Sequence, residues 1–129
     1  MKKEKAFPKS GTTMPWNVWM QPSPFWTAAI TRAQQIVSYY AVFHAMRAVL
    51  ALNEIDMRHH SGIISEFRKR YIKTGVFETR LSQIISVLFD TRTESDYDDF
   101  FVISKAEVVE QTENAEYFLQ VIKAYLDRQ

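Results

Sequence analysis

Between Asp90 and Asp99 the chain reads DTRTESDYDD, so that a single guanidinium, Arg92, stands among the carboxylates of Asp90, Glu94, Asp96, Asp98 and Asp99. An arginine in such company has two uses. It can fork onto a neighbouring carboxylate and stitch a junction between helices, or it can hold a phosphate. A second concentration of chemistry is Arg58-His59-His60. Imidazole titrates near neutral pH, and His60 directly precedes Ser61, a candidate helix cap at which an anion would be stabilised. The same element ends in Arg68, Lys69, Arg70 and Lys73, which either complement the helix dipole or extend a phosphate-contacting strip. Tyr97 reads as a ring at the edge of the core with its hydroxyl bonded to backbone. A metal site would have to use Asp96, Asp98, Asp99 and His60. These lack both the EF-hand pattern and a His-x3-His pair, so no metal and no cofactor is expected.

These groups must be carried by helices. From Ser23 to Leu52 the chain is almost continuously apolar or small, and from Ile36 onward Arg47 is the only full charge. Such a helix is expected in the middle of a bundle with neighbours on several sides. Ser23 and Pro24 suit its start and Asn53 its end. His44, one turn after Tyr40, reads as a hydrogen-bonded interior histidine. Ser61 is expected to cap a second helix with Ile63, Ile64, Phe67 and Tyr71 on its buried face and Gly75 at its close. Leu81, Ile84, Ile85, Leu88 and Phe89 define a third over Phe77 to Asp90, followed by a polar break in which Ser95 and Asp98 resemble a capping box. Ser104 with Glu107 is a clearer capping box, opening a last helix that faces the core with Val108, Val109, Phe118, Leu119, Ile122 and Leu126. No strand is expected.

At 129 residues with a net charge of +1, the chain is one domain with no global bias toward nucleic acid or anionic membranes. It has no cysteine, which excludes a disulfide framework and fits a reducing cytosol. The Ile36 to Leu52 run falls short of a membrane span and contains His44 and Arg47, so a soluble, cytoplasmic protein with no membrane contact is expected. Residues 1–22 do not fit the helical pattern. Pro8, Gly11, Pro15 and Pro22 interrupt them, while Met14, Trp16, Val18, Trp19 and Met20 are too apolar for a solvated tail. They read as an irregular Trp/Pro-rich arm laid into a groove on the bundle or on a partner, with residues 23–129 as the helical bundle domain.

Three blocks, SYYAVFHAMRAVL, HSGIISEFRKRYIKTG, and Arg92 to Tyr97 followed by DDFF, together resemble the HEPN domain family in its small, stand-alone prokaryotic branch, UPF0332-like. The resemblance runs from about Ala28 to Leu126 and rests on the order and spacing of the blocks, not on any one of them. It implies an all-α, up-down helical bundle that dimerises, and in many members a minimal nucleotidyltransferase partner within a toxin–antitoxin pair. Catalytic members are metal-independent endoribonucleases marked by an arginine and, after four to six residues, a histidine. Histidine takes the proton from the ribose 2′-hydroxyl and arginine holds the phosphate as its charge builds.

This sequence departs from the signature where it matters most. Arg92 matches the arginine, but after four intervening residues stands Tyr97, with Asp98 and Asp99 at the later alternatives. A phenol with a reference pKa of about 10 is a poor base at neutral pH. His60 or His59 would substitute if the fold brought it to Arg92. The resemblance thus implies Arg92, Tyr97 and His60 as the catalytic set, with Arg58, His59, His60, Arg92 and Asp96 holding nucleotide or RNA phosphate and cleavage weak or absent. The competing reading is a non-catalytic interaction and dimerisation module, in which Arg92 pairs with its own aspartates. A second departure is the start: the family opens with a long amphipathic helix, which residues 1–21 do not resemble, so the arm or a second subunit would have to cover the flank of the central helix.

Overall fold

The computed structural model describes residues 24–55, 59–97 and 103–129, with Tyr97 described in its backbone only. Four helices appear in order: α1 (Pro24–Ala51), α2 (His60–Phe67), α3 (Thr79–Tyr97) and α4 (Lys105–Asp127), with no strand among the described residues. The fold is the expected all-α bundle. A π-helical turn, Arg68–Ile72, continues α2 without a break and is closed by Lys73 N–H donating to the Arg68 carbonyl at 2.8 Å. Gly75 then reverses the chain at φ 85°, a left-handed conformation that a Cβ would disfavour. It therefore ends this element as the sequence suggests.

α1 packs most extensively along α4 and also touches α2 and α3. Its buried face is Gln35, Tyr39, Val42, Phe43, Met46, Val49 and Leu50, which meets Ile63, Ile64 and Phe67 of α2, Leu81, Ile84, Ile85 and Leu88 of α3, and Phe118 and Ile122 of α4 in one core. Phe67 and Phe118 are completely buried; shielding rings of that size contributes about 2 to 3 kcal/mol each. Buried polar groups in α1 are satisfied. Gln35 donates from Nε2 to the Leu88 carbonyl at 3.2 Å, and Thr31 returns its hydroxyl to the Thr27 carbonyl at 2.9 Å.

Four expectations from the sequence change here. First, α1 is not enclosed on all sides: Val37 is 67 % exposed, and Trp26, Ile30 and Tyr40 also face outward. These recur with a heptad spacing that includes Ala33, His44 and Arg47, so the apolar run holds two faces, one turned to the core and one turned away. His44 belongs to the outward face and is exposed, its ring lying along that of Tyr40 with centroids 6.2 Å apart. Second, α2 starts a residue before Ser61. His59 is its N-cap and makes no side-chain cap. Third, the polar stretch is not a break, because α3 runs through it to Tyr97. The carbonyl of Ser95, one of the four at a helix end that lack an intrahelical partner, accepts a 2.6 Å bond from Arg32 Nη2 of α1, and this long-range cap lets the helix continue. Fourth, Val109 is 47 % exposed and not on the core face. The Ser104–Glu107 capping box is present in full, with Glu107 N–H donating to Ser104 Oγ at 3.1 Å and Ser104 N–H to Glu107 Oε1 at 3.1 Å. The expected arm, residues 1–22, lies outside the described residues, as does Ser23.

Candidate functional site

Continuity of α3 determines the geometry of Arg92. Because the helix does not break, Arg92 and Asp96 sit one turn apart on one face, and Arg92 Nη1 donates to Asp96 Oδ1. The guanidinium expected to stand free is therefore paired, as the competing reading had it. It is nevertheless 22 % exposed, while Asp96 is 53 % exposed, and among the described residues Nη1 is the nitrogen it commits. Four of its five N–H donors remain.

The start of α2 comes to the same place. His60 lines a cavity of about 460 Å³ together with Tyr39, Tyr40, Phe89, Arg92, Thr93 and Asp96. The fold thus joins His60 to Arg92 across two helices. His59 is exposed and does not line this cavity. Arg58, Asp98 and Asp99 lie outside the described residues, as does the Tyr97 side chain.

His60 is held by rings. Its imidazole lies 4.0 Å from the centroid of Phe43 and 5.9 Å from that of Tyr39, and the Tyr40 ring stands edge-on to it at 6.1 Å. The Tyr39 hydroxyl is 2.8 Å from His60 Nδ1. Tyr39 is almost fully buried, and burial pushes its phenol above the ordinary range, with the neighbouring Tyr40 adding to that rise; its proton is retained and needs an acceptor. Nδ1 is the acceptor within reach. Donation from Tyr39 Oη to Nδ1 assigns the remaining ring proton to Nε2 in the neutral imidazole. Burial, followed by the charges of His44, Arg47 and Arg92, lowers the His60 pKa from its ordinary value, so that neutral form prevails at neutral pH. Among the described residues the cavity is therefore lined by a neutral imidazole, by a guanidinium with uncommitted donors, and by Asp96 as the opposing charge. Among the described residues no three His, Asp or Glu side chains converge as metal ligands.

Sequence reasoning missed Tyr39, Tyr40, Phe89 and Thr93. The adjacent tyrosines one turn ahead of Phe43 and His44, and Phe89 just ahead of the polar stretch, were the available signals.

Fold and site define a helical bundle whose arginine-bearing polar segment faces a histidine from a neighbouring helix. The profile of the HEPN domain matches residues 25–125, and the chain belongs to that family. It is similar to a Methanocaldococcus jannaschii protein named "Putative toxin MJ0142", with 29 % identity over 95 % of this chain and 80 % of that one. It is also similar to proteins named "UPF0332 protein" from Archaeoglobus fulgidus, with 34 % identity over 67 % of this chain and 68 % of that one, and from Thermotoga maritima, with 27 % identity over 69 % and 67 %. No solved structure matches the chain. Among the described residues no helix is long and apolar enough to cross a membrane.

Proposed function

We propose that this HEPN-domain protein binds a nucleotide or RNA phosphate in the cavity between Arg92 and His60, and that it does so without effective cleavage. The observation that carries the reading is that these two residues, on different helices, line one cavity. A phosphate oxygen accepts from Arg92 and from His60 Nε2–H, while the Asp96 carboxylate fixes the fork and limits net charge. Cleavage of RNA without a metal needs a group that removes the 2′-hydroxyl proton. With Nδ1 occupied by Tyr39 and Nε2 protonated, His60 is a donor and not a base.

The similarity to the M. jannaschii protein supports a toxin-like role for this chain, and the family resemblance adds an antitoxin of the nucleotidyltransferase type as its partner. Pairing of two copies is the second part of the reading. Its support is the outward face of α1, where Ile30, Val37 and Tyr40 recur at the spacing of a helix–helix seam. Tyr40 belongs both to that face and to the cavity, so a second copy packed there would bring two cavities close together.

An electrophoretic shift with RNA, read beside circular dichroism, tests the first part. The wild-type chain retards RNA and Arg92→Ala does not, with helicity unchanged; retention of the shift in Arg92→Ala rules the phosphate role out. Light scattering tests the second: Val37→Glu is expected to give the mass of one chain where the parent gives two. A parent of single-chain mass removes the dimer from the reading.

A further inference from the structure

A second cavity of about 360 Å³ lies between α2 and α3, with Ser61, Ser65, Arg68, Ser86 and Asp90 among its lining residues. Phe89 lines both cavities. The floor is apolar, made by Ile64 and Ile85, which are buried. One end is rich in donors. Arg68 is anchored by Nη2 donating to Ser86 Oγ at 2.7 Å and to the Ser82 carbonyl at 3.1 Å, while its Nε–H is buried with no acceptor among the described residues. Nη1 makes no hydrogen bond among the described residues, so its donors remain for a ligand. The other end is an acceptor. Asp90 follows Ser86 by one helical turn, about 6 Å along the axis, and it makes no ion pair among the described residues.

Opposite polarity at the two ends, with an apolar floor between them, selects the occupant. A second phosphate would meet the Asp90 carboxylate and be repelled. An aliphatic ligand would leave the Arg68 Nη1 donors unpaired and strip water from three hydroxyls. A flat heterocycle with acceptors on one edge and donors on the other meets every group. Guanine carries N1–H and the N2 amino group side by side, which one carboxylate accepts as a fork, and it carries O6 and N7 as acceptors for an arginine. Adenine presents a lone amino group and no adjacent N–H. We propose that this groove takes the guanine base of a nucleotide whose phosphate lies against Arg92 and His60, with the sugar crossing over Phe89. The inference rests on the phosphate reading above and adds the identity of the base.

Calorimetric titration of the full chain with guanosine 5′-monophosphate, adenosine 5′-monophosphate and ribose 5-phosphate tests it. The guanine nucleotide is expected to bind at least about tenfold more tightly than the other two, the discrimination of one good bidentate contact. Asp90→Asn should abolish that preference and leave ribose 5-phosphate binding as it was, whereas Arg92→Ala should weaken all three. Equal affinity for the guanine nucleotide and ribose 5-phosphate, or a guanine preference that survives Asp90→Asn, overturns the base site while leaving the phosphate site standing. Absence of binding by all three ligands overturns both.

Discussion

Two clusters of aromatic rings sit in different parts of this bundle and are finished differently. In the first, Phe67, Tyr71, Phe77 and Tyr125 pack with centroids 5.1 to 5.8 Å apart. The hydroxyl of Tyr71 accepts from Asn53 Nδ2 at 2.6 Å and donates to the Val49 carbonyl at 3.4 Å, so its polar atom is closed off within the protein. In the second, Tyr39, Phe43 and His60 make a similar stack, but the hydroxyl of Tyr39 is joined to the imidazole of His60, which lines a cavity. Both clusters contain a buried phenol with a raised pKa, desolvation being the main cause in each. Only one transmits its hydrogen bond to a place where a ligand can receive it. Ring packing alone therefore does not mark a binding site; the destination of the hydrogen bond does.

The largest effect that would expose this contrast is on stability. Phe67→Ala, at a fully buried ring, is expected to cost about 3 to 5 kcal/mol in a urea titration, whereas Phe89→Ala, at a half-buried ring, should cost about half as much. Equal losses would mean that Phe89 is a core residue and not the wall of an open groove.

Next come the two phenols. Tyr71→Phe and Tyr39→Phe should each cost about 1 kcal/mol, the net worth of one hydrogen bond, yet only Tyr39→Phe should alter binding. With Nδ1 released, His60 is free to exchange tautomers, and ribose 5-phosphate affinity should fall several-fold. Unchanged affinity in Tyr39→Phe would show that the Tyr39–His60 bond has no influence on the cavity.

A smaller effect is the pH dependence. The folded state holds His60 below its unfolded pKa of about 6.5, so the unfolded chain binds the extra proton first, and stability falls as pH drops below that value. His60→Gln should remove this part of the acid sensitivity, measured as thermal midpoint between pH 7 and pH 5.5. Over the same range imidazolium formation adds a positive charge to the cavity and should tighten binding of a phosphate monoanion. The smallest shift is expected for Asp96→Asn, which deletes an exposed pairing worth about 0.5 kcal/mol and should tighten phosphate binding modestly; weaker binding would show that the carboxylate aligns Arg92 more than it opposes the ligand.

Helix content, most of the core and the Ser104–Glu107 cap were readable in the sequence because they depend on spacings within one turn or a few. Ile63, Phe67, Leu81 and Phe118 could be assigned to the core from periodicity alone. The course of α3 past Asp90 could not. Thr, Ser and Asp favour turns by only a few tenths of a kcal/mol each, and the Arg32 bond to the Ser95 carbonyl, between residues far apart in the chain, outweighs that preference. The outward face of α1 was hidden for a related reason: Val37 and Tyr40 are as apolar as their buried neighbours, so polarity does not separate the two sides. For the site, Arg92, Asp96 and His60 were identifiable by chemistry, while their meeting, and the part played by Tyr39, depend on tertiary packing.

The π-helical turn at Arg68–Ile72 has a consequence for how this protein tolerates change in length. A π turn accommodates one residue more than an α turn in the same rise, and here it does so between a helix carrying His60 and a loop that returns the chain to α3. Loss of a single codon inside it would leave a regular α turn of the same rise, with the residues on either side still in register. The same loss in the turn at Leu52–Glu54 would displace Asn53, whose Nδ2 donates to the Tyr71 hydroxyl, so single-residue deletions in relatives of this chain should gather in the π turn and spare that turn.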